Sequence, residues 1–188
     1  RFTIMNRNKV FLLVVPAIGA AILAVLSQFS FAIGAVPITL QTFAFGLIAT
    51  IFKPREAVLA TLFYLLLGAI GLPVFAGGHG GFQSFLNPTA GYLLSAPLFA
   101  FITSILTHKN SSFLTILLAN ILGDSILFIG GIIGLNILGN LDFSKAIAVG
   151  VTPFILPDLL KMLLIAIISL PVLKSLGFHP YFADKQKN

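Results

Sequence analysis

The 188-residue sequence has no cysteine and no tryptophan, and only 9% of its residues are charged. Without cysteine there is no disulfide framework, no thiolate metal site and no cysteine nucleophile. A water-soluble domain carries roughly 25% charged residues and about 45–50% apolar ones, whereas here 58% are hydrophobic and the mean hydropathy is +1.08. Too few polar residues remain to coat a soluble surface, which excludes an ordinary soluble enzyme. Three histidines and five acidic residues leave little material for metal chemistry. No Gly-Lys dipeptide exists to begin an ATP-binding phosphate loop, and neither a Gly-x-Ser-x-Gly elbow nor a His-Glu-x-x-His helix is present.

What the chain has instead is long apolar runs. A spanning helix needs roughly 20 mostly apolar residues to cross about 30 Å of hydrocarbon. Six such windows occur, at about 10–29, 38–52, 57–75, 90–107, 113–138 and 146–173, the second being short unless it extends back through Ala35 and Val36. Runs such as AVLATLFYLLLGAIGL are apolar on every face, unlike the alternating strands of a membrane barrel. The expected fold is therefore an all-α integral membrane protein of six transmembrane helices. Its parts are a cytoplasmic N-terminus over 1–9, a membrane domain over 10–173 and a cytoplasmic tail over 174–188. The residues before Met5 read as an appended remnant, and the first span is longer than the apolar core of a cleaved signal peptide.

The net charge of +6 raises the question of a nucleic-acid partner, which the placement of the eleven basic residues answers. Arg1, Arg7, Lys9, Lys53, Arg55, Lys109, Lys174, Lys185 and Lys187 all fall on one side of a six-span topology, and only Lys145 falls on the other. That is the positive-inside pattern with both termini cytoplasmic. The charge encodes topology, and no nucleic acid is implied.

The remaining polar residues cluster. Asp158 and Lys161 lie three residues apart in the sixth window, which places them on one helical face about 4.5 Å apart along the axis. A charge at the bilayer centre costs roughly 2.5–3.5 kcal/mol, so the pair must face protein or a cavity. It either neutralises itself and locks the bundle, or binds a ligand. Pro153 and Pro157 withdraw backbone donors beside it and leave carbonyls needing other partners. In the fifth window Asn120 and Asp124 share a face, where they either bond a neighbouring helix or join the pair. Both aspartates are expected near mid-membrane.

The loop LPVFAGGHGGFQSFLNPTAGY surrounds His79 with four glycines. Phe82, Phe85 and Leu86 lead us to expect that it packs into the helical mouth as a lid. His79 has no obvious companion ligands for a metal, and none is expected. Gln41 is the one strong amide in the loop before the second window. Ala17, Ala20, Ala21 and Ala24 form a small-residue stripe suited to close approach of another helix. A stand-alone proton-coupled carrier using Asp124 and Asp158, and an intramembrane hydrolase using Ser84 or Ser95 with His79, are the rival readings.

The segments VPITLQT, GLPVFAGGHGGFQSFLNPTAGYLL and PFILPDLLK together resemble the BioY family, the biotin-specific substrate-binding (S) component of energy-coupling factor (ECF) vitamin transporters. The resemblance implies a six-helix, non-enzymatic membrane subunit that binds biotin, with no other cofactor. It also implies association with a transmembrane coupling subunit and two cytoplasmic ATPases. Ligand contacts are implied at Asp158 and Lys161 in the PxxDxxK run and at Asn87, Tyr92, His79 and Gln41 beneath the outer loops. Asn120 is a further candidate, and Ala17 and Ala21 match the family's small-xxx-small coupling motif.

Overall fold

The computed structural model describes residues 2–31, 36–183 and 185, with the side chains of 2–9 and 183 excluded. The side chains of Arg1, Arg7, Lys9, Ala35 and Lys187 thus lie outside the described residues. The chain is almost entirely helical, with α1 (Phe2–Leu26), α2 (Gln41–Ile51), α3 (Pro54–Ala69), α4 (Ala90–Leu106), α5 (Phe113–Ile137), α6 (Phe143–Gly150), α7 (Ile155–Leu176) and a short α8 (Pro180–Ala183). Local chemistry sets several starts. Pro54 opens α3, where a missing N–H costs nothing. Ser112 caps α5 by accepting from the Thr115 N–H at 3.2 Å, and Asp142 caps α6 by accepting from the Lys145 N–H at 3.1 Å.

Two features depart from the sequence expectation. Between the first and second windows the chain forms an antiparallel ribbon, β1 (Ser30–Phe31) with β2 (Ile38–Thr39), so α2 is only 11 residues long. The sixth window is not one helix. α6 ends at Gly150, a 3-10 turn spans Thr152–Phe154, and α7 starts at Ile155, so that Pro153 lies in the turn and Pro157 in the first turn of α7, where a missing N–H removes no helical bond. Asp158 therefore sits in the first turn of α7, not at mid-helix, where the helix dipole favours a carboxylate. Asp124 does lie midway along α5.

Helices in lipid gain little from burying apolar surface against one another, so close packing must hold them together. The α4–α5 seam shows how. Gly91 of α4 faces Gly130 and Gly134 of α5 so closely that a Cβ on any of them would collide with backbone or with Ser95. Two turns further on, Phe99 and Thr103 occupy the space over Gly123. The largest core joins α1 to α4 through Leu23, Phe45, Tyr64 and Phe99, and a second joins α5 to α7 through Ile116, Met162 and Ile165. Outward faces are apolar too: Leu114, Leu118 and Leu122 on α5 and Leu156, Leu160 and Leu164 on α7 are all exposed at four-residue spacing. Such belts are abnormal for a protein surrounded by water and suit a hydrocarbon solvent. Among the described residues α5 and the helical run 143–176 have the length and apolarity to cross a bilayer; α2, α4 and the 10–26 part of α1 are apolar but shorter.

Candidate functional site

A cavity of about 290 Å³ opens where the β1–β2 ribbon, the loop before α4 and the ends of α2 and α7 converge. Asp158 and Lys161 form one wall, and Lys161 Nζ donates to Asp158 Oδ1 at 2.6 Å, the sole ion pair among the described residues. Both are more than nine-tenths buried. Asp124 joins them in the lining, with its Oδ1 buried and accepting no hydrogen bond. Two acidic side chains and one ammonium thus share this part of the cavity.

Apart from Asp124 and Asp158 no acid is among the described lining residues. Thr39, His79, Ser84, Asn87 and Thr89 reach the cavity from the ribbon and the loop, away in sequence from the charge pair. Asn87 and His79 are exposed at the mouth, and the loop holding them is fixed by its backbone. The Phe75 N–H donates to the His79 carbonyl at 2.9 Å, and the Gly81 N–H donates to the Gly68 carbonyl at 2.7 Å. Gly81 has φ +96°, and a Cβ on Gly80 would strike the Leu72 carbonyl, so glycine is required at both places. The aromatic that anchors this loop is Phe75, 3% exposed, packed edge-on to Tyr64 at 5.4 Å and to Phe85 at 5.7 Å. Phe82 and Leu86, expected to plug the mouth, are instead 66% and 63% exposed. The short 3-10 turn Phe82–Phe85 points them outward while turning Phe85 in.

Elsewhere the walls are apolar, from Phe45, Phe75, Leu127, Phe128 and Phe154. Tyr92 contributes its ring only, because its hydroxyl donates to the Gly150 carbonyl at 2.6 Å and so ties α4 to the end of α6. Gly131 leaves the space that this ring occupies. Gln41 lies on the lining and donates from Nε2 to the Tyr64 hydroxyl at 2.6 Å, and that hydroxyl donates to Ser27 Oγ at 2.9 Å. This holds the Gln41 side chain while its carbonyl oxygen keeps its accepting capacity.

Six sequence-derived candidates thus share one cavity: Asp158, Lys161, Asn87, Tyr92, His79 and Gln41. Asn120 stands apart. It is fully buried one turn from Asp124, donates to Thr50 Oγ1 and to the Ile116 carbonyl, each at 2.9 Å, and fits against Gly46, so it fastens α5 to α2 away from the lining. Ala17 and Ala21 are exposed on α1, whereas Gly19 and Ala20 turn inward, Gly19 against Ala60 and Phe52. The stripe is therefore split between an inner contact and an open outer face. The phenylalanine walls have no sequence signature, because nothing local distinguishes which of the 19 phenylalanines line a cavity. Tyr64 is marked in the sequence as the one tyrosine of an otherwise largely apolar run. Among the described residues no three His, Asp or Glu side chains converge as a metal site would need.

A cavity that combines buried ionisable groups, uncharged polar groups and aromatic walls, carried by a helical bundle with an apolar exterior, defines a membrane protein built to hold a small amphipathic molecule. Residues 5–178 match the BioY family model, and the chain belongs to that family. It is 38% identical to the biotin transporter BioY2 of Lactococcus lactis subsp. cremoris, over 96% of this chain and all of that one. It is 39% identical to the biotin transporter BioY of Thermotoga maritima, over 86% of this chain and 95% of that one. Its fold superposes, with a TM-score of 0.83 and 29% identity, on the crystal structure of the S-component for biotin from an ECF-type ABC transporter, covering 94% of this chain and 98% of that one. The family and this structural relative are transporters and transporter components, not enzymes.

Proposed function

We propose that this chain is the biotin-specific substrate-binding subunit of an ECF-type transporter and that it holds biotin in the cavity between the Asp158–Lys161 pair and the loop before α4. The observation that carries the reading is that pair, buried in the wall of a small cavity in a BioY-family chain. A volume of about 290 Å³ lies at the low end of ligand pockets, which begin at roughly 300 Å³, and suits a small vitamin.

Charge decides the pose. Biotin carries a ureido ring with two N–H donors and a carbonyl acceptor, joined by an apolar chain to a carboxylate. A carboxylate placed beside Asp124 and Asp158 meets two acidic groups, whereas the ureido group finds carboxyl oxygens to accept from its N–H groups and the remaining ammonium protons to donate to its oxygen. The ring therefore lies at the charge pair, the valerate chain passes between the phenylalanines, and the carboxylate meets the polar groups of Asn87, His79, Thr39 and Ser84.

Transport needs an energy source, and this chain contains no phosphate loop. We assign that role to two cytoplasmic ATPases acting through a transmembrane coupling subunit that docks on the exposed Ala17–Ala21 face. The chain crosses the cell membrane six times with both termini inside, α6 and α7 together forming the last crossing, as the distribution of Lys and Arg supports. Uptake of labelled biotin in cells lacking their own importer tests the function. Expression of this chain with its partners must restore uptake that an ATPase-dead partner abolishes. Uptake by liposomes containing this chain alone and driven by a pH gradient overturns the reading in favour of a proton-coupled carrier. Because the chain has no cysteine, a single Phe82→Cys substitution reports topology: labelling by an impermeant maleimide from outside supports it, and labelling only from inside reverses it.

A further inference from the structure

At the end of the bundle remote from the cavity, a groove of about 550 Å³ runs between α1, α3 and α4. Its walls are apolar: Leu12 from α1, Val58 and Leu59 from α3, and Phe101 from α4. Its mouth is basic, formed by Lys53 and Arg55 in the turn that opens α3. That turn is fixed to the end of α4, since Ser104 Oγ donates to the Phe52 carbonyl at 2.5 Å. Lys53 is held over the Tyr181 ring, with Nζ 4.7 Å from its centroid, and Phe11 and Phe182 pack on that ring in turn. Arg55 is exposed, and neither cation forms an ion pair with an acid of the described residues. The one carboxylate in the lining, Glu56, is only 3% exposed and lies beside Tyr181, whose phenol is pushed above its ordinary pKa by burial and then by that carboxylate.

Two cations beside one shielded acid leave a net positive mouth on an apolar slot. The slot is continuous with the lipid-facing surface of α3, where Leu62 and Leu66 are exposed one and two turns beyond Val58 and Leu59. A soluble anion makes no use of those walls, and an uncharged lipid makes no use of the mouth. We infer that the groove binds an anionic phospholipid, its phosphate at Lys53 and Arg55 and an acyl chain along Leu12, Leu59 and Phe101. The inference stands apart from the identity of the transported ligand and needs only that the chain resides in a bilayer.

The absence of tryptophan supplies the test. Phe101→Trp places the sole tryptophan in the groove, where it is excited selectively over the three tyrosines, and Leu164→Trp places one on the exposed face of α7 as reference. Each protein is reconstituted in phosphatidylcholine vesicles containing a minor fraction of brominated phosphatidylglycerol, or the same fraction of brominated phosphatidylcholine. Phe101→Trp must be quenched preferentially by the anionic lipid, and Leu164→Trp equally by both. Adding Lys53→Gln and Arg55→Gln must remove the preference, by about fivefold for each charge, while biotin binding stays intact as evidence of folding. Equal quenching of Phe101→Trp by the two lipids overturns the assignment, as does a preference that survives the loss of both charges. Recovery with a coupling subunit that depends on Lys53 and Arg55, without any lipid preference, also overturns it and gives the groove to a protein partner.

Discussion

Exchanging Asp158→Asn and Lys161→Met together removes the charge pair while leaving the net charge of the cavity unchanged. The choice matters because the two groups are buried and joined at 2.6 Å. Removing one partner of a buried pair strands the other and costs about 3–5 kcal/mol, whereas replacing both by neutral groups of similar size is often neutral for stability. The double variant should therefore fold, and its binding can be read without confusion. Biotin then meets a weaker amide oxygen in place of a charge-assisted acceptor for its N–H groups and loses a donor to its ureido oxygen. Hydrogen bonds to charged groups contribute about 1.5–3 kcal/mol each, so two of them amount to about 3–6 kcal/mol, or roughly 10²- to 10⁴-fold in Kd. Calorimetric titration of both proteins with biotin and with biotinamide, which lacks the free carboxylate, separates the ends of the ligand. With the ureido ring at the pair, the variant weakens both ligands by the same factor, to within about 0.5 kcal/mol. A loss at least tenfold larger for biotin than for biotinamide refutes the pose and puts the carboxylate on Lys161. Unchanged affinity for both makes the pair purely structural.

Three further outcomes follow from the packing and the termini. Gly131→Leu has no room beside the Tyr92 ring, so overpacking should lower stability by about 1–3 kcal/mol and, by displacing Tyr92 from Gly150, weaken biotin; an unchanged Tm and Kd contradict this. Ala17→Leu adds bulk to an exposed position and should leave biotin binding intact while preventing co-purification with the coupling subunit; intact assembly would remove that interface. Lys185 donates to the Ala49 carbonyl at 3.3 Å, to the Thr50 carbonyl and to Thr107 Oγ1 at 3.2 Å, and burial pushes its pKa from 10.5 down to about 7. The unfolded chain then holds that proton more tightly, so stability should be flat below pH 7 and rise from there towards pH 10. Thermal unfolding across that range should show Lys185→Met losing a slope of at most about 1.4 kcal/mol per pH unit, and an unaltered slope would refute the assignment.

What could be read from the sequence were the features that bilayer physics makes costly. Asp158 and Lys161 stood out because charge in an apolar run demands a partner or a ligand, and the glycines around His79 stood out because few other residues tolerate such backbone. Less visible were features set by distant parts of the chain. Hydropathy reads straight through the break between α6 and α7, which only Pro153 and Pro157 mark, so the start of α7 just before Asp158 does not show in the apolar pattern. Asn120 looked equivalent to Asp124 on the same face of α5, yet a single turn decides that one meets Thr50 and Gly46 while the other reaches the cavity. Phe75, not Phe82 or Leu86, anchors the loop because Gly68 and Tyr64 leave space for its ring. No local pattern distinguishes the three.

The central claim is that this chain, without partners, holds biotin in the cavity lined by the Asp158–Lys161 pair. Calorimetric titration of the purified chain alone in detergent tests it most directly. The account predicts saturable heat at a single site per chain, with high affinity and no requirement for ATP or other subunits. Absence of heat at micromolar biotin, in protein shown to be folded by its thermal transition, would contradict it.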